Sequence, residues 1–185
     1  VDVEMQNLGF VNSGGEWSPD GKRFAFSTVS RGRPMLAVME VASGRIVRRV
    51  PFTNLGEVFR PTWSPDGRRI AFSALGRGVT DLWVLDLESG VARRLTGDDW
   101  ADLQPAWSPD GKSIAFVTDR FGPTPGGSRY GCYRLGLIDP ETGAVRALET
   151  FATGKSINPQ WTPDGRSLCF IGAPDGIANL YRLDL

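Results

Sequence analysis

An all-β fold built from four copies of one sheet unit is what this chain predicts, and three observations carry the prediction. A pentapeptide, Trp17-Ser18-Pro19-Asp20-Gly21, returns at Trp63, Trp107 and Trp161, the last with Thr162 in place of Ser. Successive tryptophans stand 46, 44 and 54 positions apart, a period that marks one supersecondary unit repeated along the chain. Each pentapeptide leads into a short aromatic and β-branched run, and no stretch carries the 3.6-residue periodicity of a helix.

Each repeat reads as four strands, A to D. Strand A is the segment leading into the Trp. The pentapeptide then closes a hairpin: Pro presets φ for the second turn position, Asp accepts hydrogen bonds from nearby amides, and Gly accepts positive φ. Strand B follows as Phe24-Ala25-Phe26, Ile70-Ala71-Phe72, Ile114-Ala115-Phe116 and Leu168-Cys169-Phe170. Strand C ends in an acid and covers 36–40, 82–86, 135–139 and 180–184. Ser43-Gly44, Ser89-Gly90 and Thr142-Gly143 signal a second hairpin into strand D, exemplified by 91–96. Four short strands per period with turn residues at every junction describe the blade of a β-propeller.

The expected blades are approximately 10–50, 56–96, 101–149 and 155–185 completed by 1–6, all within one domain spanning 1–185. Repeat four stops after strand C, while residues 1–5 alternate apolar and polar, and Met5 precedes Trp17 by the same 12 positions that separate Leu95 from Trp107. The N-terminal segment therefore reads as the missing strand D. It closes either a four-bladed monomer or, by strand exchange between two chains, an eight-bladed homodimer; a fragment of a larger propeller is the third arrangement. Solution mass separates the first two.

Composition narrows function. Acidic and basic side chains balance at 21 each, so no global basic field exists to hold nucleic acid. No stretch reaches the roughly 20 apolar residues of a membrane span. Histidine is absent, which removes Ser-His-Asp and Cys-His mechanisms and His-bearing metal sites. Two cysteines are too few for a disulfide framework. Cys169 fills the slot of Ala25, Ala71 and Ala115 and reads as a small buried hydrophobe. Neither a metal nor another cofactor is expected: Asp98, Asp99 and Asp102 lack the order of a calcium loop, and no carboxylate pair is marked for glycoside hydrolysis among Glu16, Glu57 and Asp102.

The motif Pro-x-Trp-Ser-Pro-Asp-Gly-basic-x-Ile-Ala-Phe, with a Leu-x-Val-x-Asp strand and a Gly-x-x-Arg-x-Leu-Thr ending, resembles the TolB-like β-propeller repeat, a relative of the WD repeat. Residues 61–96 are the best copy. Gly15 replaces the proline found at 61, 105 and 159, and the third repeat is long. The resemblance implies a bacterial protein in the periplasm or outside the cell, and rings that usually hold six to eight blades.

Alternating strand direction puts the uniform A–B and C–D turns on one face and the variable B–C and D–A loops on the other. The four pentapeptides (Trp17, Pro19, Asp20, Gly21; Trp63, Pro65, Asp66, Gly67; Trp107, Pro109, Asp110, Gly111; Trp161, Pro163, Asp164, Gly165) are read as structural. The loop face is the candidate site, because a rigid scaffold positions loops for recognition. There, Arg120, Phe121, Arg129 and Tyr130 of the long insertion 119–132 join Trp100, Asp99 and Asp102 of the D–A loop, with Arg31 and Arg77 in the equivalent short loops. Arg, Tyr and Trp are enriched in binding hot spots. The leading expectation is a non-catalytic scaffold that binds a protein or peptide through this face. An accessory or gating propeller of a larger exported protein or serine peptidase is the alternative, and a carbohydrate-binding or carbohydrate-active propeller the third.

Overall fold

The computed structural model describes residues 14–121 and 132–185. They form fifteen strands and no helix. Sheet one holds β1 (Glu16–Trp17), β2 (Arg23–Ser30), β3 (Arg33–Glu40) and β4 (Arg45–Pro51). Sheet two holds β5 (Glu57–Trp63), β6 (Arg69–Gly76), β7 (Val79–Asp86) and β8 (Ala92–Arg94). Sheet three holds β9 (Asp102–Trp107), β10 (Ile114–Thr118), β11 (Arg134–Ile138) and β12 (Val145–Ala147). The last holds β13 (Ser156–Trp161), β14 (Ser167–Gly172) and β15 (Asn179–Asp184). All neighbours pair antiparallel in chain order. These are the A, B, C and D strands of the repeat, with no D strand in sheet four among the described residues. The expected closure by residues 1–5 lies outside the described residues.

The core sits between blades, and the Ile-Ala-Phe run explains why. Successive side chains on a strand point to opposite faces. Ala25 faces forward and packs in one cluster with Ile70 and Phe72 of blade two. Ala71 does the same for Ile114 and Phe116 of blade three, and Ala115 for Leu168 and Phe170 of blade four. A small residue forward leaves room for the large pair pointing back. The two inner blades are thus buried on both faces, and all five positions of β10 and of β11 are buried.

The end blades lack one neighbour each among the described residues. Trp17 is 55% exposed where Trp63 is 4% exposed, and Leu180 on β15 is 74% exposed. Cys169 points forward from blade four and is only partly buried, contrary to the expectation that it is a buried hydrophobe. Its repeat position is right, but burial in that slot comes from the following blade. Both cysteines are free thiols.

The pentapeptide builds a small hydrogen-bonded frame. The Ser18 hydroxyl donates to Asp20 Oδ1 at 2.6 Å and accepts from the Arg23 amide at 2.9 Å, while the Lys22 amide donates to Asp20 Oδ1. Thr162 reproduces both contacts with Asp164 and Ser167, because only its hydroxyl is needed. The closing glycine also packs on the previous blade: a Cβ on Gly111, whose φ is +74°, would lie 3.2 Å from Pro65 Cγ. Gly111→Ala should therefore destabilise by more than the roughly 1–2 kcal/mol of left-handed strain, whereas Gly21→Ala, at φ +68° in open space, should show the strain alone. Equal losses in urea unfolding would remove the inter-blade contact from the account.

Candidate functional site

The loop face is knit together by two polar clusters. At the start of strand C in blade two, the Asp81 carboxylate is buried and accepts from Arg94 Nη2 at 2.6 Å. Thr96 accepts from the Leu82 amide alongside it. Burial raises the Asp81 pKa against the opposing pull of Arg94. In blade three, Asp102 opens β9 fully buried and Arg120 reaches it from the B–C segment with Nη2 2.5 Å from Oδ2. Arg120 also pairs with Asp98 at 2.9 Å and donates through Nε to Thr118. Burial pushes the Asp102 carboxyl up to about 6, ahead of the lowering by the Thr118 hydroxyl and the Arg120 charge. Asp102 Oδ1 has no partner among the described residues.

This places the residues singled out from sequence. Arg120, Asp102 and Asp98 are brought together, but in a largely buried network that ties the D–A loop to the insertion. Trp100 is partly buried, with its amide on Asp98, and Asp99 is exposed. Phe121 packs toward Gly136 on β11. Arg31 and Arg77 lie apart from this cluster, at the tips of the two short B–C turns with φ of 50° and 51°, each followed by a glycine at positive φ. Arg120, paired to two acids, is not a free cation on this face. Arg129 and Tyr130 lie outside the described residues. Of the carboxylates considered for glycoside chemistry, Glu16 instead accepts from the Trp63 amide at the junction of blades one and two.

A second set of residues lies on the inner strands and was not singled out from sequence. Strands β5, β9 and β13 each carry a register shift, at Phe59/Thr62, opposite Ala115/Val117 and at Ile157/Gln160. In each, the residue before a proline takes positive φ: Arg60 at 54°, Gln104 at 52° and Asn158 at 58°. Proline offers no N–H to the ladder, and a bulge takes up the interruption. For non-glycine residues such a φ is a strained state of the kind that gathers at functional sites. The three side chains converge from three blades: Arg60 Nη1 donates to Asn158 Oδ1 at 3.4 Å, and the Asn158 amide to Gln104 Oε1 at 2.7 Å. A cavity of about 240 Å³ lies between Phe59, Arg60, Leu103 and Gln104. The polar residue before Pro61, Pro105 and Pro159 is the signal that would have found them.

Four consecutive antiparallel sheets, packed face to face with their A strands innermost, define a β-propeller architecture. The TolB beta propeller domain model matches residues 12–125, more than half of the chain, and the chain belongs to that family. TolB from Acinetobacter baumannii superimposes with a TM-score of 0.75 at 24% identity, over 92% of this chain and 40% of that one. A structure from Agrobacterium tumefaciens assigned as TolB gives 0.76 at 23%, over 95% and 65%. A Mycobacterium tuberculosis puromycin-hydrolyzing peptidase gives 0.69 at 20%, over 97% and 28%. The chain thus spans less than two thirds of each, and at these identities the likeness is one of fold. Comparison with curated proteins finds no match.

Proposed function

We propose that the chain is a non-catalytic binding scaffold that takes a protein or peptide segment at the inner end of its loop face, in a bacterial periplasmic or extracellular setting. The observation that carries this is the convergence of Arg60, Gln104 and Asn158 on strained bulges beside the apolar walls of Phe59 and Leu103. Amide and guanidinium groups next to an apolar cleft suit an extended peptide, which offers both backbone carbonyls and side chains. Membership of the TolB family supports the reading. The ion-paired Asp98–Asp102–Arg120 cluster acts as a brace that fixes the cleft's rim.

The test is a selection from a displayed library of random dodecapeptides. Selected peptides should lose binding about tenfold or more on Arg60→Ala, as expected when a charge-assisted hydrogen bond worth about 1.5–3 kcal/mol is removed, with unchanged melting temperature. Retained binding in the Arg60→Ala and Gln104→Ala variants would move the site elsewhere. Turnover of a glycan or peptide panel by the wild type, abolished by substituting a cleft residue, would overturn the non-catalytic reading.

A further inference from the structure

The blade junctions provide an internal comparison. At the first, the Arg23 guanidinium lies 4.9 Å from the centre of the Trp63 ring and donates to the Gly67 carbonyl at 3.4 Å. At the second, Arg69 lies 4.9 Å from the Trp107 ring and pairs with Glu141. Cation–π stacking of this kind is favourable, and a guanidinium suits it better than an ammonium. At the third junction the same position is Ser113, and among the described residues no guanidinium stacks on Trp161. The backbone is unchanged there: the Ser113 amide donates to Ser108 Oγ at 3.0 Å, as the Arg23 and Arg69 amides do to Ser18 and Ser64.

In place of the missing guanidinium is a cavity of about 450 Å³ lined by Ser113, Trp161, Asp110, Asp164, Gly165 and Arg146, among others. That size falls within the roughly 300–1,000 Å³ of ligand pockets. We infer that this cavity is a binding site for a guanidinium group, the arginine side chain of a polypeptide partner, which stacks on Trp161 where Arg23 and Arg69 stack on theirs. Gly165, which lines the cavity, holds the repeat position of Gly67, whose carbonyl accepts from Arg23. Two carboxylates, Asp110 and Asp164, face one cation, Arg146, among the lining residues. Hydrogen bonds from Ser108 and the Lys112 amide hold Asp110 below its ordinary pKa, and those from Thr162 and the Arg166 amide do the same for Asp164, so both remain ionised at neutral pH.

This site lies on the uniform-turn face, away from the cleft of Arg60 and Gln104, so either proposal can fail alone. The test follows the indole N–H resonance of Trp161 in nitrogen-15-labelled protein, assigned with Trp161→Phe. N-acetyl-arginine amide should shift it saturably, and N-acetyl-lysine amide should bind at least ~3-fold more weakly. Methylguanidine binding as well as the arginine amide would show that the headgroup suffices; weaker binding would show that the side-chain stem contributes. Either result supports a guanidinium site. Ser113→Arg should fill the space from within, abolish the shift and raise Tm. Ser113→Met, a neutral filler, should also block it and covers the case in which the arginine variant does not fold. Absence of a saturable shift in the wild type, or a shift that survives both substitutions, would overturn the inference.

Discussion

Trp63→Ala is expected to lower the unfolding free energy by about 3–5 kcal/mol, and Trp17→Ala, the same letter of the same motif, by less than about 1 kcal/mol. The difference lies in what each indole touches. Trp63 is 4% exposed, donates through Nε1 to the Glu16 carbonyl at 3.0 Å, and is covered by Arg23. Its removal leaves a cavity between blades one and two and strands an acceptor that folding has already desolvated. Trp17 is 55% exposed and meets mainly Phe24 of its own blade, edge to face at 5.4 Å. Trp161 repeats the Trp63 bond with its own donor to the Ala106 carbonyl, whereas Trp107 Nε1 has no partner among the described residues. Urea unfolding at constant pH measures both substitutions. Similar losses from Trp17 and Trp63 would mean that the motif stabilises its own hairpin rather than the junction.

Much of this architecture is legible in the sequence because the repeat encodes relations between blades as well as within them. The alternation of Ile, Ala and Phe says which side of a strand makes room and which side fills it. Ser-Pro-Asp-Gly specifies its turn through a hydroxyl, a carboxylate and a positive φ, and all four copies comply. Cys169 shows where such reading stops: its slot is correct, but burial there depends on a following blade that its own repeat does not contain. Arg60, Gln104 and Asn158 were hidden for a different reason. They differ in chemistry, so the repeat does not display them as a set, and they meet only because three bulges turn them toward a common inner space. Arg120 was singled out for its chemistry, but its partners Asp98 and Asp102, distant in sequence, withdraw that charge from solution.

That buried pair should dominate the pH response of the fold. The Asp102 carboxyl is held at about 6 against its ordinary 3.8, with burial the largest cause. A raised carboxyl binds its proton more tightly in the folded chain than in the unfolded one, so stability falls as pH rises from about 4 through 6. The interval corresponds to ~3 kcal/mol at most. Asp20, Asp110 and Asp164 are shifted the other way, chiefly by the neighbouring hydroxyls, and their contribution is lost progressively as pH falls from the ordinary carboxylate range through their lowered pKa values. Asp102→Asn should therefore flatten the stability profile between pH 4 and 6.5 and leave the acid limb in place. Glu16 and Asp81, also raised by burial, keep a shallower slope of the same sign in both proteins. Arg120→Ala should cost about 3 kcal/mol at pH 7, where it leaves a fully buried carboxylate without its counter-charge. The cost should shrink toward pH 5, where Asp102 is protonated and needs no partner. Parallel pH profiles for wild type and Asp102→Asn, or an Arg120→Ala loss independent of pH, would show that the charge of Asp102 is not what links this loop face to stability.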